Sequence, residues 1–400
     1  MLKKRPLLFV VIALGLLASG ALAQQDRRGV IEPRQVRAIY GSVVQLPAPI
    51  QLYPLAPVAG TNKVFTTIIP RKGILKLRFR VVSPAQTNTW YVRILKGQRI
   101  VDAHAVSPDG TSPFWSEEKE LLDDPTVEVY CFDENCSLQL EVDAVAEPTF
   151  QSVPQAITTP PPTPQLKTYR DLGQPIKGWG RAVVKIRLSD TQDLFSCTGF
   201  LVSPDLLITN NHCIYEKLGA DNARVEFDFE SQRPSVSYKF ERLLVTDREL
   251  DFSLLRLRQK WTDREPLRLA SADLSQVRKL LIIQHPKGLK KRVAEEDCNL
   301  QNTDIINVGS TRATDFGHSC DTYGGSSGSP VQDISDGRVI GLHHFEFFPD
   351  DRILLNRAVK MSLIIDCLKS AFAQSNPAIL DELHIENSPP ASDVRCSPYQ

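Results

Sequence analysis

Short segments in which apolar and polar residues alternate dominate the chain up to about residue 146. Between residues 75 and 81 every second residue is basic, in the order Leu75-Lys76-Leu77-Arg78-Phe79-Arg80-Val81. A period of two places the apolar side chains on one face of a β-strand and the polar ones on the other. We therefore predict strands throughout this region and, on residues 75–81, one buried face and one solvated basic face.

Turn residues predict two hairpins in the same region. Lys96-Gly97-Gln98 separates an alternating run that ends at Ile94 from Ile100-Val101. Asp133-Glu134-Asn135 separates residues 127–131 from 136–142, and this turn would bring Cys131 opposite Cys136. Several short strands joined by turns are typical of a β-sandwich. We expect a β-sandwich-like domain in residues 24–146.

The second half of the chain also consists mainly of short apolar runs. Strands are predicted over the ranges 183–188, 199–202, 206–209, 225–229, 252–257, 279–284 and 339–343. Residues 358–372 instead have the apolar spacing of a helix. The fold class predicted for the whole chain is mainly β, with a helix near the C-terminus.

A proline-rich segment separates the two regions. Residues 147–168 contain six prolines: Pro148, Pro154, Pro160, Pro161, Pro162 and Pro164. Such a segment is typical of an extended, semi-rigid linker. The predicted organisation is an accessory domain at 24–146, a linker at 147–168, a second domain at 169–375 and a tail at 376–400.

The N-terminus has the features of a secretory signal peptide. Lys3-Lys4-Arg5 precedes an apolar run over residues 7–17, and the segment ends in Ala21-Leu22-Ala23. The apolar run is shorter than the roughly 20 residues of a membrane span. We expect cleavage after Ala23, export to the periplasm or the medium, and no membrane segment in the mature chain.

The charge balance and the cysteine count indicate which binding partners and which cysteine chemistry to expect. Lys+Arg and Asp+Glu both number 47, so the formal net charge is +0 and bulk charge favours neither a nucleic acid nor an anionic membrane. All eight cysteines follow the predicted signal peptide. An even number of cysteines in an exported chain, with no C-x-x-C spacing, indicates disulfides rather than a metal site.

Three segments of the second domain contain candidate catalytic residues. They are Cys197-Thr198-Gly199 with the following Thr209-Asn210-Asn211-His212-Cys213, then Leu250-Asp251-Phe252, and finally Cys320-Asp321-Thr322-Tyr323-Gly324-Gly325-Ser326-Ser327-Gly328-Ser329-Pro330. A serine hydroxyl becomes a good nucleophile when a base takes its proton. A neutral histidine is such a base near neutral pH, and a carboxylate can orient it. We therefore select His212, Asp251 and Ser327 as the candidate catalytic residues.

In this order the three segments resemble the trypsin-like serine proteases, and most closely their bacterial glutamyl endopeptidase-like branch. The resemblance covers about residues 170–375. It implies a chymotrypsin-like double β-barrel and a serine endopeptidase that acts on proteins or peptides through an acyl-enzyme. It also implies that the backbone N–H groups of Gly325 and Ser327 form an oxyanion hole. No cofactor and no metal ion are expected.

The sequence departs from the family pattern at two places. Ser326 precedes the nucleophile, where chymotrypsin-like zymogens carry an aspartate that pairs with a newly cut N-terminus. Activation through residue 326 is therefore excluded, and any latency has to come from the first domain, the linker or another part of the chain. Phe345-Glu346-Phe347 stands where this branch often has a glycine, which alters the upper wall of the substrate cleft.

Three residues bear on the side chain recognised before the cleaved bond, the P1 residue. Thr322 and His343 lie where glutamyl endopeptidases receive the substrate carboxylate, so the resemblance favours cleavage after Glu or Asp. Asp321 lies where trypsin itself has the aspartate that selects Lys or Arg. We favour the acidic preference, and basic or small apolar P1 residues stay open.

The eight cysteines allow many pairings. Local spacing favours Cys131–Cys136 in the predicted hairpin and Cys197–Cys213 beside the candidate histidine, a clamp also common in the resembling family. The resemblance favours Cys298–Cys320, which would anchor the loop before Ser327. These choices leave Cys367 and Cys396, whose bond would tie the tail to the last helix.

Two functions from different classes remain at this point. The leading hypothesis is an exported serine endopeptidase with an accessory domain. The alternative is a binding or adhesion protein in which the N-terminal domain carries the function, because residues 24–146 contain no catalytic motif. The sequence does not indicate what that domain binds.

Overall fold

The computed structural model describes residues 38–52, 63–82, 90–106, 113–116, 121–131, 139–149, 166–189, 193–230, 237–306, 310–345, 355–385 and 394–399. Within these ranges the protein is mainly β, which confirms the predicted fold class. The predicted signal peptide and residues 150–165 of the predicted linker lie outside them. None of the helices in these ranges has the length and apolar character needed to cross a membrane.

The N-terminal region is a sandwich of two sheets. Its strands are β1 (Ala38–Leu52), β2 (Lys63–Ile68), β3 (Lys76–Val81), β4 (Trp90–Lys96), β5 (Arg99–Val106), β6 (Phe114–Trp115), β7 (Thr126–Cys131) and β8 (Leu140–Pro148). One sheet has the order β1-β8-β3-β6 and the other β2-β7-β4-β5. Leu77 and Phe79 from the first sheet pack with Val92 and Val129 from the second in one buried core. The alternating pattern therefore predicted the inward faces of these strands.

One of the two predicted hairpins is present and the other is wrong. β4 and β5 pair around Gly97, whose φ of 61° suits a glycine. β7, however, pairs with β2 and β4, whereas β8 pairs with β1 and β3. The chain crosses between the two sheets after Cys131, because alternation identifies an apolar face and not a neighbouring strand. Cys136 lies outside the described residues, so the Cys131–Cys136 bond stays a prediction.

Two of the three basic residues of β3 are paired with acidic residues, and the third, Lys76, donates to Ser189 Oγ at 2.9 Å. Lys76 and Arg78 are only 2% and 6% exposed. Arg78 Nε donates to Asp143 Oδ1 at 2.8 Å, and Arg80 forms an ion pair with Glu141. Both acidic residues belong to the neighbouring strand β8, so a row of opposite charge lies beside the basic row. The expected solvated face was wrong for Lys76 and Arg78.

The second region begins with β9 (Lys167–Thr168) and then forms the first of two barrel-like sheets. The strands of this sheet are β10 (Val183–Ser189), β11 (Asp193–Leu201), β12 (Leu206–Thr209), β13 (Arg224–Glu226), β14 (Ser237–Tyr238), β15 (Phe240–Asp247) and β16 (Phe252–Leu257). β12 and β16 coincide with two predicted strands and pair with each other. Their ends position two of the candidate catalytic residues.

The second barrel-like sheet contains β9 and seven further strands. They are β17 (Leu280–Gln284), β18 (Arg292–Ala294), β19 (Leu300–Ile305), β20 (Asp315–His318), β21 (Pro330–Asp333), β22 (Val339–Phe345) and β23 (Asn356–Lys360). Their order is β19-β20-β23-β22-β21-β17-β18-β9. Two successive antiparallel sheets of this kind match the double barrel that the family resemblance implied. Single 3₁₀ turns occur at Tyr169–Asp171 and Pro286–Gly288.

Four helices complete the described residues: α1 (Ile176–Gly180), α2 (Lys217–Asn222), α3 (Met361–Phe372) and α4 (Pro377–Glu382). The predicted helix 358–372 begins late, because residues 358–360 belong to β23. Ala358 pairs with strands on both sides. The sequence of such a central strand is apolar on both faces, and a short apolar run does not distinguish a strand from a buried helix. The C-terminal tail contains α4, and a disulfide joins Cys396 to Cys367 of α3.

The two regions are joined through a shared sheet. The start of β1 pairs with β11, with Ile39 opposite Phe195 and Ser42 opposite Asp193, while the next residues of β1 pair with β8. Leu194 of β11 packs with Trp115 of the N-terminal sandwich in a small buried cluster. An extended linker predicted few contacts between the two regions, and the shared sheet shows more. The domain boundaries themselves stay a prediction.

Gly41 lies at the centre of this junction, and its substitution should separate the two regions. A Cβ at residue 41 would lie 2.4 Å from Leu194 Cδ1 and 3.0 Å from the Glu147 carbonyl oxygen. We expect wild-type protein cleaved within residues 150–165 to elute as one particle in gel filtration, because the sheet still holds the two parts together. Gly41→Val should release them as two particles after the same cleavage.

The matched control is Gly173→Ala, because no atom lies within 4 Å of a Cβ at that position. This variant should elute as wild type does. Separation of the two parts in cleaved wild-type protein would contradict a stable shared sheet.

Candidate active site

His212 and Asp251 meet at the ends of two paired strands. Thr209 ends β12, three residues before His212, and Phe252 begins β16 directly after Asp251. His212 Nδ1 lies 2.8 Å from Asp251 Oδ2, and the backbone N–H of His212 donates to Asp251 Oδ1 at 2.9 Å. Asn210 Nδ2 donates to the Asp251 carbonyl oxygen at 2.8 Å. The carboxylate therefore holds both the ring and the backbone of the histidine.

Asp251 has an unusual backbone and a buried charge. Its φ is 42°, a left-handed conformation that aspartate tolerates better than most residues. Burial alone would raise the pKa of Asp251, but the positive charge of His212 and the hydrogen bonds from His212 and His344 outweigh it and hold the pKa well below the ordinary range. The group is an anion throughout the physiological range, as a partner for an imidazolium must be.

The loop around Ser327 is held against the first barrel. Gly325 and Gly328 have φ values of 92° and 86°. A Cβ at Gly328 would lie 2.1 Å from the Thr198 carbonyl oxygen and 2.4 Å from Thr209 Oγ1, so only glycine fits there. The backbone N–H of Thr198 donates to the Ser327 carbonyl oxygen at 2.8 Å. The loop around Ser327 thus contacts β11, which pairs with β12, the strand that leads to His212.

Two backbone amides beside the candidate nucleophile have the properties of oxyanion donors. Within the described residues, the N–H groups of Gly325 and Ser327 take part in no hydrogen bond, whereas those of Ser326, Gly328 and Ser329 do. Thr198 Oγ1 donates to the Gly325 carbonyl oxygen at 2.8 Å and so fixes the orientation of the glycine. This arrangement leaves two donors for a developing negative charge.

Gln284 is a supporting residue that the sequence analysis did not select. Ser326 Oγ donates to Gln284 Oε1, and Gln284 Nε2 donates to the Asp321 carbonyl oxygen at 2.7 Å. Gln284 is fully buried at the end of β17, after four apolar residues. A single polar residue that ends an apolar strand is the signal that could have identified it. Gln284 therefore anchors Ser326, the residue that stands where chymotrypsin-like zymogens have an aspartate.

Three disulfides stabilise the site and the tail. Cys197–Cys213 lies beside His212, Cys298–Cys320 lies before the nucleophile loop, and Cys367–Cys396 joins α3 to the tail. These are the pairs expected from the sequence and the resemblance. The sulfurs of Cys197 and Cys213 also lie within 4.8 Å of a His212 nitrogen, but disulfide sulfurs are not thiolate ligands for a metal.

The three residues selected for P1 recognition have different environments. His343 is fully buried, with Nδ1 3.2 Å from His318 Nε2. Burial is the main cause that keeps the pKa of His343 well below its ordinary value, and the neighbouring His318 and His344 lower it further. Thr322 Oγ1 is buried and has no hydrogen-bond partner within the described residues. Asp321 is half-buried. Glu346, which would add negative charge to the cleft, lies outside the described residues.

The family model that matches this chain lies within the second region. Residues 197–342 match the family model described as the trypsin-like peptidase domain. This part of the chain is therefore similar to the trypsin-like peptidases. The match contains all three candidate catalytic residues, and nothing in it distinguishes the glutamyl endopeptidase-like branch.

Two curated relatives match over similar lengths. Secreted RxLR effector protein 73 of Plasmopara viticola is 33% identical in an alignment of 189 residues that covers 43% of this chain and 46% of that protein. Uncharacterized protein y4fB of Sinorhizobium fredii is 28% identical in an alignment of 182 residues that covers 39% of this chain and 26% of that protein. The chain therefore spans less than half the length of either relative.

Solved structures are also similar to this chain. The inactive form of Rv3671c from M. tuberculosis has a TM-score of 0.40 and 19% identity, over 55% of this chain and 98% of that one. The HtrA-type protease AlgW with a tripeptide has a TM-score of 0.39 and 17% identity, over 49% and 61%. Likenesses of this size carry no information about activity.

Acid should destabilise the protein through three buried histidines. Burial is the main cause that lowers the pKa values of His285, His318 and His343, to about 3 for His318. In the unfolded chain they take up protons near pH 6.5, so the stability present above that pH is lost as the pH falls toward their folded pKa values. Below about pH 5.5 the free energy of unfolding should fall by roughly 4 kcal/mol per pH unit, the slope for three protons.

Urea unfolding at a series of pH values measures this slope. His318→Gln should reduce it by about one third. His384→Gln, which replaces an exposed histidine, should leave it unchanged. An unchanged slope in His318→Gln would show that His318 is not neutral in the folded protein.

Proposed function

We propose that this protein is an exported serine endopeptidase that works through Ser327, His212 and Asp251. The observation that carries the proposal is the His212–Asp251 pair beside a nucleophile loop with two available backbone amides. A buried aspartate that orients a histidine, together with donors aimed at one point, is the arrangement that acyl transfer requires. The trypsin-like peptidase domain match over residues 197–342 supports the same assignment.

The proposed reaction has two halves. Ser327 Oγ attacks the carbonyl carbon of the peptide bond while His212 takes the hydroxyl proton, and the N–H groups of Gly325 and Ser327 stabilise the oxyanion. The carbon–nitrogen bond then breaks, and the leaving amine receives the proton from His212. Water repeats the sequence on the acyl-enzyme, which releases the acid and restores Ser327. Asp251 stays ionised and stabilises the imidazolium.

Export to the periplasm or the medium is part of the proposal. It is supported by the basic and apolar N-terminal sequence that ends at Ala23, and by the pairing of six cysteines in three disulfides. The name of the Plasmopara viticola relative includes the word secreted. Peptide mass mapping of protein recovered outside the cytoplasm, with a mature N-terminus at residue 24, tests it.

Replacing the nucleophile should abolish the reaction. Ser327→Ala should lose covalent labelling by a fluorophosphonate probe and nearly all peptidase activity, with an unchanged melting temperature. His212→Ala should lose a similar amount, because the members of a triad act as a unit. Wild-type activity should also fall on acidification, as expected for a neutral histidine base.

Ser335→Ala is the matched control, because this serine is exposed and, among the residues described, its hydroxyl bonds only to Asp333. It should label at the wild-type rate. Folded wild-type protein that does not react with the probe would favour the alternative, a binding protein with a protease-like module.

The P1 preference that we favour is for Glu or Asp. Thr322 Oγ1 is a buried donor without a partner among the described residues, and a substrate carboxylate would satisfy it. His343 is neutral before substrate binds, because burial lowers its pKa. A carboxylate beside it would favour the charged form, so binding of an acidic P1 residue would take up a proton. Half-buried Asp321 is the observation that favours a basic P1 residue instead.

Thr322→Val tests the acidic preference, because it removes the hydroxyl with little change in volume. The ratio of kcat/KM for a Glu substrate to that for its Gln counterpart should fall about tenfold or more, the effect of one hydrogen bond to a charged group. In wild-type protein the same ratio should rise as the pH falls from about 8 to 6, because proton uptake accompanies binding. Preferred cleavage after Arg in a peptide library would contradict the acidic pocket.

A further inference from the structure

A second histidine contacts the carboxylate of Asp251 from the other barrel. His344 Nδ1 lies 3.2 Å from Asp251 Oδ2, the same oxygen that contacts His212. On the opposite side of the ring, His344 Nε2 lies 3.0 Å from Asp315 Oδ2. His344 and Asp315 are both 0% exposed. A continuous line of contacts therefore runs from His212 through Asp251 and His344 to Asp315.

The geometry determines the protonation of His344. Each ring nitrogen faces a carboxylate oxygen, and an ionised carboxylate only accepts hydrogen bonds. A neutral imidazole would turn one lone pair toward an anion at hydrogen-bond distance, so both nitrogens of His344 must carry protons. The other oxygen of Asp315 accepts a hydrogen bond from Thr314 Oγ1 at 2.9 Å.

The groups around His344 leave it as the protonated histidine of this cluster. Burial alone would lower the pKa of His344, but the charges of Asp315 and Asp251 and their hydrogen bonds outweigh it and raise the pKa to about 9. His318 on β20 and His343 on β22 are buried and neutral at the same pH, for the reasons given above. On β23, the Arg357 guanidinium lies over the Phe345 ring, 5.2 Å from its centre.

We propose that His344 is a positioning residue for the catalytic base: a permanent cation, held between Asp251 and Asp315, that fixes the Asp251 carboxylate and opposes protonation of His212. This inference rests on the proposed peptidase function. The His344 cation lies closer to His212 along the line of contacts than the Asp315 anion does. Because Coulomb energy falls with distance, the net effect of the pair is to disfavour a second positive charge at His212.

The test replaces the ion pair by a neutral pair of similar shape. The double variant His344→Gln with Asp315→Asn keeps polar side chains at both positions and removes both charges. The rate constant of fluorophosphonate labelling is measured against pH for this variant and for wild type. We expect the midpoint of the acid limb to rise by roughly half to one pH unit, the difference between the effects of the nearer positive and the farther negative charge at an effective dielectric constant of about 20.

A merely structural role for His344 predicts a different result. The labelling rate would then fall by the same factor at every pH, with the midpoint unchanged, and this outcome would overturn the proposal. The matched control is His318→Gln, which replaces a buried neutral histidine whose described hydrogen bond goes to His343 and not to Asp251. Its midpoint should equal that of wild type.

A second measurement needs no substitution and no activity. In ¹⁵N-histidine-labelled wild-type protein at about pH 8, NMR should show one histidine with both ring nitrogens protonated, since ordinary histidines are neutral there. The absence of such a ring would overturn the proposal even if the double variant does not fold. If the wild type fails to label but shows this ring, the proposed function fails and the cation stands.

Discussion

The buried carboxylate of Asp251 is the group on which the arrangement of the two barrels depends. It lies in the first barrel with His212, and its second histidine partner, His344, comes from the second. A buried anion is costly unless charges and donors compensate it, and here the compensation comes from both sides of the domain interface. Separation of the barrels would leave Asp251 and the His344–Asp315 pair incompletely compensated. The electrostatics of the site therefore also hold the barrels together.

Strand β11 has a comparable role for the backbone. One edge pairs with β10, the other pairs with the start of β1 from the N-terminal sandwich, and Thr198 near its end bonds the Ser327 carbonyl oxygen. The accessory region is thus attached to the strand that supports the nucleophile loop. A displacement of β1 would therefore be transmitted to the loop around Ser327 through β11 alone. A flexible linker between the two regions would not transmit it.

Much of the second domain could be predicted from sequence because its signals are local. The strands at 206–209 and 252–257 have the predicted bounds, and the residues that follow or precede them are His212 and Asp251. The errors concern partners distant in the chain. Alternation after Cys131 did not reveal that β7 and β8 belong to different sheets, and the basic residues of β3 gave no sign of the acidic row on β8. His344 was missed for the same reason.

Two neighbouring histidines show that the residue type alone does not determine the charge of a buried side chain. His343 and His344 are adjacent on β22, and both are buried, but their side chains point to opposite faces of the strand. His343 meets the neutral His318, so burial determines its state and it carries no charge. His344 meets Asp251 and Asp315, which are 93 and 29 residues away, and it is a cation. The same side chain in the same strand therefore has opposite electrostatic roles, and only the partners supplied by other strands decide between them.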